Sequence, residues 1–376
     1  MNSINPVIVG MRVKVARNAL DMTQEQVSQA IGFNDRQTLS DIETGKRLVS
    51  EDELLKFSEI LDQDLEFFID PFSVVGEARY SWRASKDVPE EALKRFEEKA
   101  AGWVGILRWL RAQSLVERSS LSFSLRLDVK STFEQAQGSA ESLVSQYKLG
   151  PVPALKLAEY VESKLDIPVL FVDMDYGPSN AKGTISGAAC HLSELGVVLV
   201  NRRESLTRRN FDLAHELFHI LTWEKMAPSH RESNSFDGRS TAQSKRIEQL
   251  ADNFAAALLM PSSSLDAFID KGRVKDIGHL AEVARQLSVS TEALGWRLKA
   301  LGRIDDVTRL ALAAIRREGG AEELPKLFSS SFVKELHSAL DRGRLTARKA
   351  ARTLGMPLGD LANLFKTYEL PDPFKS

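Results

Sequence analysis

The chain has 376 residues, 50 Lys plus Arg against 52 Asp plus Glu, 43% hydrophobic residues and one cysteine. That length allows two or three domains with a sizeable core, and the composition excludes wholesale disorder and a membrane protein, since no stretch approaches the ~18–20 apolar residues of a spanning helix. A lone Cys190 excludes an intrachain disulfide and a thiolate zinc cluster, and a net charge of −2 gives no global basicity that would advertise nucleic acid. The start, MNSINPVIVGMRVKVARNAL, lacks a basic segment followed by an uninterrupted apolar core, so no secretory signal and a cytoplasmic, reducing location are expected.

Residues 1–70 divide into short helical patterns. Met11, Val15, Ala19 and Leu20 mark a first amphipathic helix. Thr23 with Gln26 three residues on has the capping-box spacing that opens a second helix at Gln24, and Gly32 supplies a turn. Asn34 or Asp35 caps a third helix with Leu39 and Ile42 inward, and Leu54, Leu55, Phe57, Ile60 and Leu61 complete a five-helix bundle. Helix, tight turn, helix is the helix-turn-helix plan. Through TQEQVSQAIG and SDIETGKR the segment resembles the XRE (phage repressor-like) family. That resemblance implies operator-DNA contacts from Gln24, Arg36, Gln37, Thr38 and Ser40. Two departures stand against it. The turn GFNDRQTLS is one residue longer than the commonest family form, and residues 1–70 carry 7 basic against 13 acidic side chains. Duplex DNA repels such a domain unless its basic groups share one face, for which Arg12, Lys14, Arg17, Arg36, Lys46 and Arg47 are the candidates. The alternative is a bundle used for dimerisation or protein contact.

Residues 71–150 read as a connecting region. FSVVGEARYSWRASKDVP is expected to be a linker with anchoring aromatics, Pro89–Arg118 a long amphipathic helix, LSFSLRLDVK (121–130) an alternating strand and Ser131–Tyr147 another helix. A further helix is expected over Pro153–Leu165, within a third unit spanning 151–261. From Ile167 three short strands follow, IPVLFVDM, ISGAACHL and GVVLVN, predicting a short antiparallel sheet.

The run RRNFDLAHELFHILTW then places His215 and His219 four apart on one helix, so both imidazoles reach one metal, while Glu216 is placed to contact water instead of the metal. Zinc needs a third protein ligand and an open position. A third histidine ten residues after the first is excluded, because that residue is Lys225. SKRIEQLADNFAAALLMP supplies Glu248 as the third ligand instead, one zinc per chain, with Asp252 one turn on to accept the free N–H of His215. Tyr176, His191, Arg202 and His230 are candidate oxyanion donors, with His191 also readable as a half-buried structural histidine. The polar segment 224–245 between the ligand-bearing helices reads as a gate, a cleavage site or a tolerated surface loop. A substrate is expected to add as an extended strand to a sheet edge.

With ISG at 185–187, VLVN at 198–201, RRNFDLAHELFHIL at 208–221 and EQLADNFAAALLMP at 248–261, the chain resembles the ImmA/IrrE zinc metallopeptidases. The resemblance implies His215, His219 and Glu248 as zinc ligands, Glu216 as general base, and a repressor or other regulator protein as substrate. Residues 262–376 are expected to be helical, with helix-turn-helix-like segments at HLAEVARQLSVSTEALGWRLKALGRI and RGRLTARKAARTLGMPLGDLANLF. The second is basic through Arg342, Arg344, Arg348, Lys349 and Arg352, a face for DNA, for an acidic partner or simply for solvent.

The fold class that results is a multidomain, mainly α chain: an N-terminal five-helix bundle (1–70), a connecting region (71–150), a small α+β zincin-like metallopeptidase domain (151–261) and a helical C-terminal region (262–376). Two functions follow. One is a regulatory zinc endopeptidase, either active as made or latent until activated, recruited to DNA or to its target by the first domain. The other is a DNA-binding regulator or antitoxin-like protein whose zincin domain binds a toxin, a neighbouring-gene product or another partner without cutting it. A homodimer is compatible with either, and a membrane partner with neither.

Overall fold

The computed structural model of the protein describes residues 5–113, 124–176, 183–232, 241–315 and 323–372. Among them the chain begins with five helices, α1 (Pro6–Ala19), α2 (Gln24–Ile31), α3 (Arg36–Glu43), α4 (Glu51–Ile60) and α5 (Leu65–Ile69). Side chains satisfy the orphan amides at their starts. Thr23 with Gln26 and Ser50 with Glu53 form reciprocal capping boxes, and Asp35, the residue that caps α3, accepts from the Thr38 amide. Val13, Val27, Leu39, Ile42, Phe57, Leu61 and Phe68 are fully buried in a core private to this bundle. The fit of α1 on α3 is tight enough that a Cβ at Gly10 would collide with the Ile42 carbonyl.

The remaining elements are β1 (Arg79–Ala84), α6 (Glu90–Ala112), α7 (Phe133–Tyr147), α8 (Leu157–Leu165), β2 (Val169–Val172), β3 (Ile185–His191), β4 (Gly196–Asn201), α9 (Leu206–Thr222) and α10 (Ala242–Leu259). The C-terminal part supplies α11 (Ser262–Phe268), α12 (Ile277–Gln286), α13 (Thr291–Ala300), α14 (Asp306–Ala313), α15 (Ser330–Asp341), α16 (Ala347–Leu354) and α17 (Leu358–Thr367). No helix among the described residues is long and apolar enough to cross a membrane.

One sheet, in the order β1-β3-β4-β2, organises these helices into layers. It is mixed, not antiparallel as expected: β3 pairs antiparallel with β1 and β4, but β2 runs parallel to β4. The reason lies in burial. VLFV and GVVLVN are near-continuous apolar runs covered on both faces, the situation that suits parallel strands. Ala189, Val198 and Val200 face a core built with α7, α8, α9, α10, α12 and α13, whereas Leu170, Ala188, Cys190 and Leu199 face a second core closed by α6 and α15–α17.

Two expectations for the connecting region are corrected. The linker 72–89 contains the edge strand β1, whose Tyr80, Trp82 and Ala84 enter the second core while Ser81 and Arg83 alternate to the other side. Residues 124–130 form no strand, and 121–123 lie outside the described residues. The alternation there does bury Leu125 and Leu127, but the Leu125 amide donates to the Leu221 carbonyl near the end of α9 (2.9 Å) and not to a sheet. The helix expected over Pro89–Arg118 is α6 up to Ala112, and residues 114–118 fall outside the described residues.

Helices α9 and α10 are locked together by Phe218 and Phe254, both fully buried with ring centroids 5.4 Å apart. Truncating such a ring costs about 3–5 kcal/mol, so the relative placement of the two helices is strongly held.

In the C-terminal part, Ser290 caps α13 and Thr346 caps α16. The basic face of α16 meets an acidic partner in the same chain: Lys349 Nζ lies 3.1 Å from Glu66 and 2.8 Å from Asp70, and Arg352 lies 3.4 Å from Glu66. The last turn of the N-terminal bundle is thereby tied to the C-terminal helices.

Candidate metal centre

The centre is assembled from three places in the chain. Ser205 caps α9 through the Arg208 amide, and that helix then carries His215, Glu216 and His219 at its most buried stretch. Helix α10, held against α9 by the phenylalanine contact, presents Glu248 and Asp252 one turn apart. The third contribution is Glu232, from the segment between the two helices.

His215, His219, Glu232 and Glu248 each offer one ligand atom, and these four atoms lie within 4.8 Å of one another. His215 Nε2 is 3.1 Å from His219 Nε2 and 3.2 Å from oxygens of both Glu232 and Glu248. His219 Nε2 is 3.5 Å from Glu232 and 3.6 Å from Glu248. Two imidazole nitrogens and two carboxylate oxygens directed at one point repel unless a proton or a cation stands between them. A zinc ion fits that donor set, with nitrogen and oxygen ligands of the kind it prefers. Asp252 Oδ1 takes the other end of the His215 ring, 2.9 Å from Nδ1, which fixes the tautomer that leaves Nε2 pointing inward.

Glu216 is fully buried, and neither carboxylate oxygen has a hydrogen-bond partner among the described residues. Burial pushes its carboxyl well above the usual carboxylate range, and the Glu232 charge pushes the same way. Room for it comes from Gly187, where an added Cβ would lie 3.0 Å from the Leu199 carbonyl and 3.6 Å from Glu216 Cγ. Glu232 is equally buried but sits well below its ordinary value, because His215 and His219 outweigh the desolvation that would raise it. Two neighbouring carboxyls are thus pushed in opposite directions by their surroundings.

Arg83, like Glu232, is a residue that sequence spacing does not point to. Its guanidinium is buried and lies 3.0 Å from Asp212, 3.6 Å from Glu232 and 3.8 Å from Asp252. Asp212, on α9 one turn before Glu216, is also held by Arg208 at 3.0 Å. The only sequence signal was the period-two pattern of RYSWRA, which puts Ser81 and Arg83 on the face opposite Tyr80, Trp82 and Ala84. Glu232 had no local signal at all. It sits in a polar stretch that offered no spacing to α9.

The four oxyanion candidates are engaged elsewhere. His191 stacks on Trp223 and contacts Glu224 at 3.3 Å, which fits the structural histidine. Arg202 pairs with Asp173, His230 with Glu97, and Tyr176 packs against the core on the opposite face of the sheet.

In the N-terminal bundle, Arg36 and Gln37 are exposed on α3, while Thr38 and Ser40 are partly covered. Gln37 is bonded to Asp41, Thr38 to Asp35, and Gln24 to Glu43. Three of the six residues suggested for a basic face, Arg12, Arg17 and Arg47, are engaged within the protein. Arg12 is fully buried, donating to the carbonyls of Phe67, Phe68, Asp70 and Ser73 and to Glu77. Arg17 is paired with Glu43 at 2.6 Å and Arg47 with Glu53 at 2.7 Å. Lys14, Arg36 and Lys46 remain exposed.

Comparison with known proteins supports this division. Among solved structures, a Mycobacterium tuberculosis transcriptional regulator is 20% identical over 44% of this chain and 46% of its own, with a TM-score of 0.30. Bacillus thuringiensis PlcR, in complex with the peptide PapR7 and DNA, is 11% identical over 96% of this chain and 93% of its own, with a TM-score of 0.17. The chain thus spans under half the length of the first of these, and neither likeness is close enough to carry an argument about fold. No curated protein matches the chain. Family profiles do match. Residues 162–299 match the IrrE N-terminal-like domain, a peptidase family, and the match runs through α13, whose Leu294 and Leu298 share the core of α10. Residues 13–68 match the helix-turn-helix profile, so the chain is a fusion of an XRE-type helix-turn-helix domain with an IrrE N-terminal-like peptidase domain.

Proposed function

We propose that the protein is a cytoplasmic regulatory zinc endopeptidase that cuts a repressor or another regulator protein to control transcription. The observation that carries this reading is Glu216: a buried carboxyl with no hydrogen-bond partner among the described residues, beside a cluster of side chains that could hold a metal. A purely structural metal site has no use for such a group.

His215, His219 and Glu248 would hold one zinc, with Asp252 orienting His215. Zinc supplies Lewis acidity, polarising the scissile carbonyl and making water nucleophilic near neutral pH. Glu216 accepts the proton of the attacking water as the C–O bond forms, then returns it to the amine nitrogen as the C–N bond breaks. Burial favours its protonated form and a nearby cation opposes that. A group between those influences can both take and give a proton.

In this reading residues 1–70 recruit the enzyme, 71–150 and 262–376 complete and cover the sheet, and 151–261 carry the chemistry. Recruitment to operator DNA would use α3 with Arg36, Gln37, Thr38 and Ser40, together with Gln24. The acidic bundle, with Arg12 and Arg17 buried and Arg47 paired with Glu53, favours a second version in which it grips a protein partner, such as the regulator itself, a neighbouring-gene product or a second copy of the chain.

The test is to label newly formed protein N-termini in cells producing wild type or Glu216→Gln. Termini that appear only with wild type, together with an uncut protein that co-purifies with the variant, support the endopeptidase. Identical termini from both, with zinc bound in each, would overturn it and leave a partner-binding regulator.

A further inference from the structure

Three protein ligands and an open position are what catalysis at zinc requires, yet four side chains converge here. The fourth, Glu232, arrives on a segment with a defined place in the fold. The Trp82 amide donates to the His230 carbonyl (2.8 Å) and the Glu232 amide to the Trp82 carbonyl (2.9 Å), so residues 230–232 lie along β1 as a short added strand. That side of β1 is the outer edge of the sheet, since its other side is paired with β3. Side chains fasten the segment as well. Ser81 Oγ donates to the Ser229 carbonyl and to Glu232 Oε1, and Arg231 donates to the carbonyls of Ser85 and Val88. His230 contacts Glu97 at 2.7 Å.

We propose that Glu232 is a displaceable fourth metal ligand, carried on a strap of residues 229–232 that occupies the sheet edge and closes the centre in the resting protein. The inference rests on the zinc-peptidase reading above. The strap takes both things a substrate would need: an unpaired sheet edge for its backbone, and the coordination position where its carbonyl would be polarised. Glu216 argues that the closure is reversible, because a permanently four-liganded metal leaves its two partnerless oxygens without a task. Two backbone hydrogen bonds and a few side-chain anchors are a short ladder, of the kind a longer extended peptide can out-compete.

The experiment uses the full chain loaded with cobalt(II) in place of zinc and titrated with acetohydroxamate, whose oxygens bind an accessible metal and change its visible spectrum. Wild type is expected to need at least about tenfold more hydroxamate than Glu232→Gln, while both retain about one metal per chain. Arg231→Ala, which loosens the strap without touching the centre, is expected to fall between them. Glu232→Gln keeps the shape of the side chain and so guards against misfolding. Equal hydroxamate affinity in wild type and all variants would overturn the strap. Loss of the metal from Glu232→Gln would also overturn it, by making Glu232 an obligatory ligand. If the variants open to hydroxamate but none cuts any protein, the strap stands and the peptidase reading fails.

Discussion

The helix-turn-helix bundle and the metal centre treat charge in opposite ways. In the bundle, each buried arginine is matched: Arg12 is surrounded by four carbonyls and Glu77, and Arg17 grips Glu43. At the centre, Asp212, Glu216 and Glu232 are buried with two histidines and one fully enclosed cation, Arg83. Among the described residues, Ser28 Oγ is the one buried side-chain polar atom of the bundle without a hydrogen-bond partner, whereas at the centre both oxygens of Glu216, one oxygen of Glu232 and Nδ1 of His219 lack one. A burial pattern that satisfies itself serves the fold. One that does not leaves a place for something from outside, which the proposed function fills with a divalent cation.

The largest expected effect comes from removing the cation that the centre does possess. Arg83→Met should destabilise the protein by about 3–5 kcal/mol, because it leaves Asp212 and Glu232 buried without their partner. Chemical denaturation checks this, and a loss under about 1 kcal/mol would mean the carboxylates are held neutral and the comparison is wrong. Next, Asp252→Asn should keep the fold and weaken zinc binding by about 10–100-fold, through the His215 ring it orients. Competition with a chromophoric chelator measures it. Unchanged affinity would remove Asp252 from the site.

On the bundle side the effects are smaller. Ser50→Ala should cost about 1 kcal/mol by breaking the capping box of α4, and should leave zinc content untouched. A loss of zinc in that variant would show that the two regions are not independent. Smallest is Arg36→Ala, expected to weaken binding to any duplex modestly and to lower the slope of log affinity against log salt by about 1. Failure of the wild type to bind duplex even at low salt would assign the bundle to protein contact.

How much could be read in advance follows the same division. AHELFH and EQLAD were legible because each set of side chains shares one helix, where spacing of four fixes a common face. The cap at Thr23 was legible for the same local reason. Arg83 and Glu232 were not, because they reach the centre from a sheet edge and an irregular segment about 150 residues apart in sequence, a pairing made only by tertiary structure. The supposed basic face of the bundle misled because Arg12, Arg17 and Arg47 have carboxylate or carbonyl partners that sequence spacing does not reveal. LSFSLRLDVK misled differently: its alternation correctly sent Leu125 and Leu127 inward, but onto the end of a helix.

The most direct test of the central claim is the zinc content per chain, by elemental analysis, of wild type and Glu248→Ala. About one zinc in wild type, largely lost from the variant, is the predicted result. A wild type that stays metal-free in the presence of zinc would contradict the account, leaving four converging donors and an unpartnered Glu216 with no cation to explain them.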